Sequence, residues 1–170
     1  MRDLQKRIID YYKGVPLNVE VLETELSGYQ ARRNKIAALV KEGVLIRVIN
    51  GVYVVNPDVS GMGIERGIVA NTLYGPSYVS FETALAHYGL IPERVVEIRS
   101  AVSCRAKNYD TALGRFCYRT VPGDVFPIGI RSESPPLAGL ARGGFFSRAA
   151  FYEGTCLHFF HALVQQMQFC

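Results

Sequence analysis

An α+β fold is what this 170-residue sequence predicts, and three observations predict it. Three stretches of helical period fill the first 42 residues. Two β-branched runs split by Asn50-Gly51 follow them directly. Beyond residue 94 apolar and polar side chains alternate, as in half-buried strands. Hydrophobic residues make up 49% of the chain and charged residues 20%, enough apolar material to form a core, so disorder is not the expectation. No apolar run approaches the roughly 20 residues needed to span a bilayer. Met1 to Arg7 is charged and heads an amphipathic segment rather than a signal peptide, so a cytoplasmic protein is expected. Cys104, Cys117, Cys156 and Cys170 form no C-x-x-C pair and fit scattered thiols in a reducing compartment.

The elements of residues 1–56 follow in order. Leu4, Ile8, Ile9 and Tyr12 recur at helical spacing among Lys6, Arg7 and Asp10, which predicts an amphipathic helix ended by Gly14 and Pro16. Asn18 can cap a second helix through its side-chain oxygen, with Val19, Leu22 and Leu26 inward and Gly28 closing it. A third helix is expected from about Tyr29 to Glu42, with Ile36, Leu39 and Val40 inward and Gly43 as its stop. Residues 45–49 and 52–55 then read as a hairpin, whose Asn50-Gly51 suits a type I′ turn. In that register Val48 pairs with Tyr53, both facing the helices, and Arg47 points to the opposite side.

Three short helices followed by a tight hairpin is the order of a winged helix-turn-helix, whose third helix enters the major groove with its N-terminal residues. Here those are Tyr29 to Lys35. Gln30, Arg33 and Asn34 stand at i, i+3 and i+4. Arg can bind guanine bidentately, and Asn or Gln adenine. Arg32, Lys35, Lys41 and the wing residue Arg47 suit phosphates, which fix position without reading sequence. Tyr29 can stack on a sugar or pack beneath the helix, and packing is the expectation. The charge distribution agrees: nine Lys and Arg against six Asp and Glu over residues 1–56, and near balance afterwards. A solvated helix face, or a winged helix used for protein interaction, is the plainer alternative.

After a linker at residues 56–63, a second α+β domain is expected over residues 64–131. Ile64, Ile68 and Leu73 mark one helix, ended at Gly75-Pro76. Ser80 can cap another, with Phe81, Leu85 and Tyr88 inward, Gly89 as a left-handed C-cap residue and Leu90 in the accompanying apolar contact. Strands are expected at 95–102, 115–121 and 125–130, the last at an edge because of Pro127. No phosphate loop, zinc-protease motif or nucleophile elbow occurs, so an enzyme is not expected and no cofactor is implied. His87 reads as structural, and Glu82 and Glu93 as surface residues rather than an acid/base pair.

Two stretches resemble the AbiEi antitoxin family, transcriptional regulators of type IV abortive-infection toxin–antitoxin systems. Lys35 to Arg47 with Gly51-Val52-Tyr53 is similar to that family's helix and wing. Gly75 to Pro92 is similar to its tyrosine/serine-led helix ending in Gly-Leu, and Arg115-Phe116-Cys117-Tyr118 fits its strand. The similarity covers about residues 3–131. It implies a repressor that binds double-stranded DNA in its own promoter, with DNA contact carried to Gln30, Arg32, Arg33, Lys35, Lys41 and Arg47. It also implies a functional partner, a nucleotidyltransferase-like toxin, countered without a stable complex. The family's Ala-Ser-Pro-Glu-Lys-Ala-Leu motif is missing, and residues 132–170 read as an atypical tail, truncated or frameshifted, or else as a divergent helix near Leu157–Met167. Cys156, His158 and His161 there are too few for a convincing metal site. The alternatives are a regulator whose second domain senses a ligand or dimerises, with no toxin, and a nucleic-acid enzyme targeted by the winged helix.

Overall fold

The computed structural model describes residues 2–128, 130–133 and 149–152. The chain is a mixed α+β protein with two sheets. Its first part runs α1 (Arg2–Tyr12), β1 (Pro16–Asn18), α2 (Val19–Glu25), α3 (Arg32–Lys41), β2 (Leu45–Ile49) and β3 (Val52–Val55). The apolar stripes of the three helices converge as their period requires. Leu4, Ile8, Leu22, Leu26, Ile36 and Leu39 are buried together. Leu17, Leu45 and Val55 close that core from the three-stranded antiparallel sheet, ordered β1-β3-β2.

Three details differ from the sequence expectations. Asn18 takes the cap position of α2 in extended conformation, but its side chain makes no capping bond. The Val19 N–H donates to the Gly51 carbonyl at 2.8 Å, so the hairpin backbone satisfies one of the N–H groups that a helix start leaves without an intrahelical partner. Second, α3 begins at Arg32 rather than Tyr29. Ala31 (φ −107°, ψ 62°) is not helical and carries no capping group, and the Tyr29 N–H closes a turn onto the Leu26 carbonyl at 2.9 Å. Third, the hairpin turn is not type I′. Gly51 has φ 85°, but Asn50 does not share the positive φ that a type I′ turn needs at both centres. The register passes from Arg47 opposite Tyr53 to Ile49 opposite Val52, leaving Val48 as a bulge.

The bulge follows from the sheet having two buried faces. Leu45, Tyr53 and Val55 face the helices. Ile46, Val48, Ile49, Val52 and Val54 pack into a second core with Ile68, Val69 and Leu73 of α5 (Arg66–Leu73). A regular ladder would turn alternate residues away from that core; the extra residue lets Val48 and Ile49 both reach it. Val48 thus faces away from the helices. Arg47, directly opposite Tyr53, lies on the helix side of the sheet, the reverse of the expectation. The stretch read as a linker holds the one-turn α4 (Pro57–Ser60). Asn56 caps it by accepting from the Asp58 N–H, while its amide donates to the Gly43 carbonyl.

The second sheet has the order β6-β7-β5-β4-β9-β8. Its strands are β4 (Ser77–Val79), β5 (Ile98–Val102), β6 (Lys107–Thr111), β7 (Gly114–Thr120), β8 (Ile130–Glu133) and β9 (Ala149–Tyr152). Val79, Ile98, Val102, Phe116 and Tyr118 face α5. On the other side Tyr78 and Ala101 pack with Phe81 of α6 (Phe81–His87), with Val121 and against Phe126. Ser80 holds the cap position of α6, but makes no side-chain bond there. The helix ends as expected at Gly89 (φ 68°), with the Leu90 N–H on the Leu85 carbonyl and the Gly89 N–H on the Ala86 carbonyl. Leu90 is 68% exposed, so the apolar contact expected of it is not made. The strand expected at 125–130 is a turn, in which the Val125 and Phe126 N–H groups donate to the Pro122 carbonyl; the strand begins at Ile130. From the region read as an atypical tail, β9 pairs in parallel with β4 and antiparallel with β8. Cys156, His158 and His161, and the stretch Leu157–Met167, lie outside the described residues. Among the described residues, no helix is long and apolar enough to cross a membrane.

Candidate nucleic-acid interface

The sharp turn between α2 and α3 positions the candidate site. Because Ala31 cannot cap, the first N–H groups of α3 end the helix without a side-chain acceptor. The first turn of α3 carries no acid, so its positive dipole end is not neutralised there. An open groove of about 570 Å³ lies along this turn, lined by residues 27–34 and by Glu23 from α2.

Gln30, Arg32, Arg33 and Asn34 are all exposed. Arg33 is held only loosely: its Nε is 3.8 Å from Glu23 Oε1, and its side chain is 91% exposed. Arg32 reaches back to the Ser27 carbonyl at 3.4 Å. Lys35 is half-buried, with Nζ 5.9 Å from the centroid of the Tyr29 ring. Tyr29 is therefore an exposed wall of the groove that attracts a cation, rather than a residue packed beneath the helix. Arg33 and Asn34 lie in the first turn of α3. Gln30 precedes the helix, so the i, i+3, i+4 spacing does not describe it; it joins the other two through the groove lining.

Lys41 and Arg47 lie apart from the groove. Lys41 is exposed at the C-terminal end of α3, beside Glu42, whose carboxylate accepts from Gln5. Arg47 is exposed and donates to the Asn50 side chain at the hairpin. The sequence reading missed Glu23 and Ser27. No short-range pattern marks them, because the turn at Leu26–Tyr29 and the packing of Leu22 and Leu26 with Ile36 and Leu39 bring α2 against the start of α3.

A second polar cluster lies on the α6 side of the large sheet. Arg99 pairs with Glu82 at 2.7 Å and with Glu97 at 2.6 Å, and the Cys117 thiol donates to Glu97 at 3.4 Å. The hydrogen bond from Arg99 holds the Glu97 carboxyl below its ordinary range. Burial, and then Glu97 itself, push the Cys117 thiol up, so it stays protonated and is a poor nucleophile. Glu82 is thus committed to Arg99, while Glu93 is exposed on the loop after α6. His87 sits in the last turn of α6 with its ring 5.1 Å from that of Tyr88. No group of three His, Cys, Asp or Glu among the described residues is arranged to hold a metal ion.

Comparison of the chain with models of known protein families, and with curated protein sequences, gives no match.

Proposed function

We propose that the chain binds duplex DNA through α3 and the β2–β3 hairpin and acts as a transcriptional repressor. One observation carries this reading. Gln30, Arg32, Arg33 and Asn34 stand exposed around the uncapped start of α3, on a helix that follows α2 through a tight turn and is followed by a hairpin. That order is the one a winged helix-turn-helix uses. Arg33 and Asn34 are the base-reading residues, with Gln30 beside them. Arg32, Lys35, Lys41 and Arg47 contact phosphates.

The narrower reading is an AbiEi-type repressor of its own promoter that also counters a nucleotidyltransferase-like toxin without a stable complex. It rests on the resemblance over residues 3–131 alone. Co-expression with such a toxin tests it: relief of growth arrest supports it, and unrelieved arrest removes it.

DNA binding is tested with a duplex enriched by the chain from a randomised pool, in a gel-shift titration across a salt series. Four phosphate contacts per chain give a slope of log K against log salt of about −3.6. Arg33→Ala lowers affinity for the enriched duplex by about 1–3 kcal/mol and relaxes base preference, while Lys41→Ala weakens every duplex alike and makes the slope shallower by about 1. Wild-type binding by both variants refutes the assignment of α3.

A further inference from the structure

We infer that Tyr74, Tyr109 and Tyr118 form an ammonium-binding box on the large sheet, occupied in this structure by the chain's own Lys107 and open to exchange with a small quaternary ammonium ligand. The inference goes beyond the duplex-binding reading and does not depend on it.

The box follows from strand register. Lys107 and Tyr109 stand two apart on β6, so both side chains leave the same face of the sheet. Lys107 lies directly opposite Tyr118 of β7, which packs on the α5 side. Tyr74, at the C-terminal end of α5, closes the third side. Tyr118 meets Tyr74 at 5.3 Å and 76°, and Tyr109 at 5.8 Å and 88°, both nearly edge-to-face. Tyr74 and Tyr109 stand 6.3 Å apart and are tilted by 58° to each other. Tyr118, only 1% exposed, is the floor, and the two half-buried rings are its walls.

Hydrogen bonds fix two of the three rings from behind. The Tyr118 hydroxyl donates to the Ala70 carbonyl. The Tyr74 hydroxyl donates to the Arg105 carbonyl at 3.0 Å and accepts from the Cys104 thiol at 3.3 Å. Rings already held in place lose little freedom when a ligand arrives.

The occupant shows which charge the box takes. Lys107 Nζ lies 4.7 Å from the centroid of Tyr109 and 5.5 Å from that of Tyr74, close enough for both ring faces to attract it. Among the described residues no carboxylate pairs with Lys107. Ring faces therefore do what a salt bridge does elsewhere. Lys107 is exposed, so it enters from the solvent side and can withdraw without breaking the strand. An ammonium ion from solution competes for the same faces. A quaternary ion has the advantage, because the lysine ammonium is strongly hydrated and gives up more water to reach the rings.

Choline and its neutral analogue, with carbon in place of the quaternary nitrogen, test the box when titrated into the full chain and followed by amide and ring-proton NMR shifts. Choline gives saturable shifts at Tyr74, Tyr109 and Tyr118, and the neutral analogue does not. Lys107→Thr removes the internal competitor and keeps a residue suited to a strand. Choline then binds about five- to thirtyfold tighter, the worth of two exposed cation–π contacts. Absence of a saturable choline shift in the Lys107→Thr chain overturns the inference. Equal binding of the two ligands also overturns it, because apolar surface alone would then account for the site. Equal choline affinity in wild type and Lys107→Thr refutes the exchange, since Lys107 would not be competing.

Discussion

Val54→Ala probes whether the two parts of the chain are one folding unit. Val54 lies on β3, the central strand of the small sheet, and is 1% exposed in the core it shares with α5 and the large sheet. Removing two methyl groups forfeits about 1.6 kcal/mol of transfer free energy, and the cavity left between two sheets and a helix adds roughly 1 kcal/mol more. The expected loss is about 2–3 kcal/mol, or a drop in Tm of roughly 4–12 °C for a chain of this size. Amide hydrogen exchange supplies the assay, because it reports each core separately. Leu22 and Leu39 report the helical core and Phe116 and Tyr118 the second. Since the sheet is common to both, protection at all four positions falls together. Loss at Phe116 and Tyr118 with unchanged protection at Leu22 and Leu39 would refute the shared-core argument.

Two further substitutions test particular contacts. Gly114 has φ 109°, and a Cβ there would stand 2.7 Å from Arg66 Nη2, which is itself bonded to the Val96 carbonyl. Gly114→Ala therefore lowers stability by about 1–2 kcal/mol, read from the urea midpoint, and an unchanged midpoint contradicts the contact. Glu97 has its pKa lowered by Arg99, so its contribution to stability is present above its ordinary value of 4.5 and is lost as pH falls through the lower folded value. Glu97→Gln removes that component, and its stability profile is flatter than wild type as pH falls below 4.5. Identical acid slopes for the two proteins would show that the Arg99 bond does not hold in solution.

The period of the helices was legible in residues 4–39 because burial on one side is a local pattern: Leu4, Ile8, Leu22, Leu26, Ile36 and Leu39 all became core. The exposed cations of α3 were legible for the complementary reason, since they occupy the remaining face. The start of α3 was not, because Tyr29 and Gln30 are acceptable helix residues and only the turn at Leu26–Tyr29 excludes them. Nor was the hairpin register. Asn50-Gly51 announces a turn, but the bulge at Val48 answers to a second core assembled from residues 68–118. β4 and β6 escaped notice because one has three residues and the other, Lys107–Thr111, is a largely exposed edge strand whose polar residues carry no buried stripe. Glu23 was hidden as a groove residue for a related reason: only its relation to Arg33 across the turn distinguishes it from Glu20 or Glu25.

On the duplex-binding proposal, the second core limits what the hairpin can contact. Ile46, Val48, Val52 and Val54 are turned inward against α5, so that flank of the sheet is closed to a duplex. What remains open is the end around Asn50, together with Arg47 on the helix side of the sheet. Arg47 spends one donor on Asn50 and, like any guanidinium, has further N–H groups to offer. On the duplex-binding reading, the hairpin therefore contributes a single cationic contact to the backbone, and sequence discrimination falls to the turn and first residues of α3. The same burial ties the hairpin to α5.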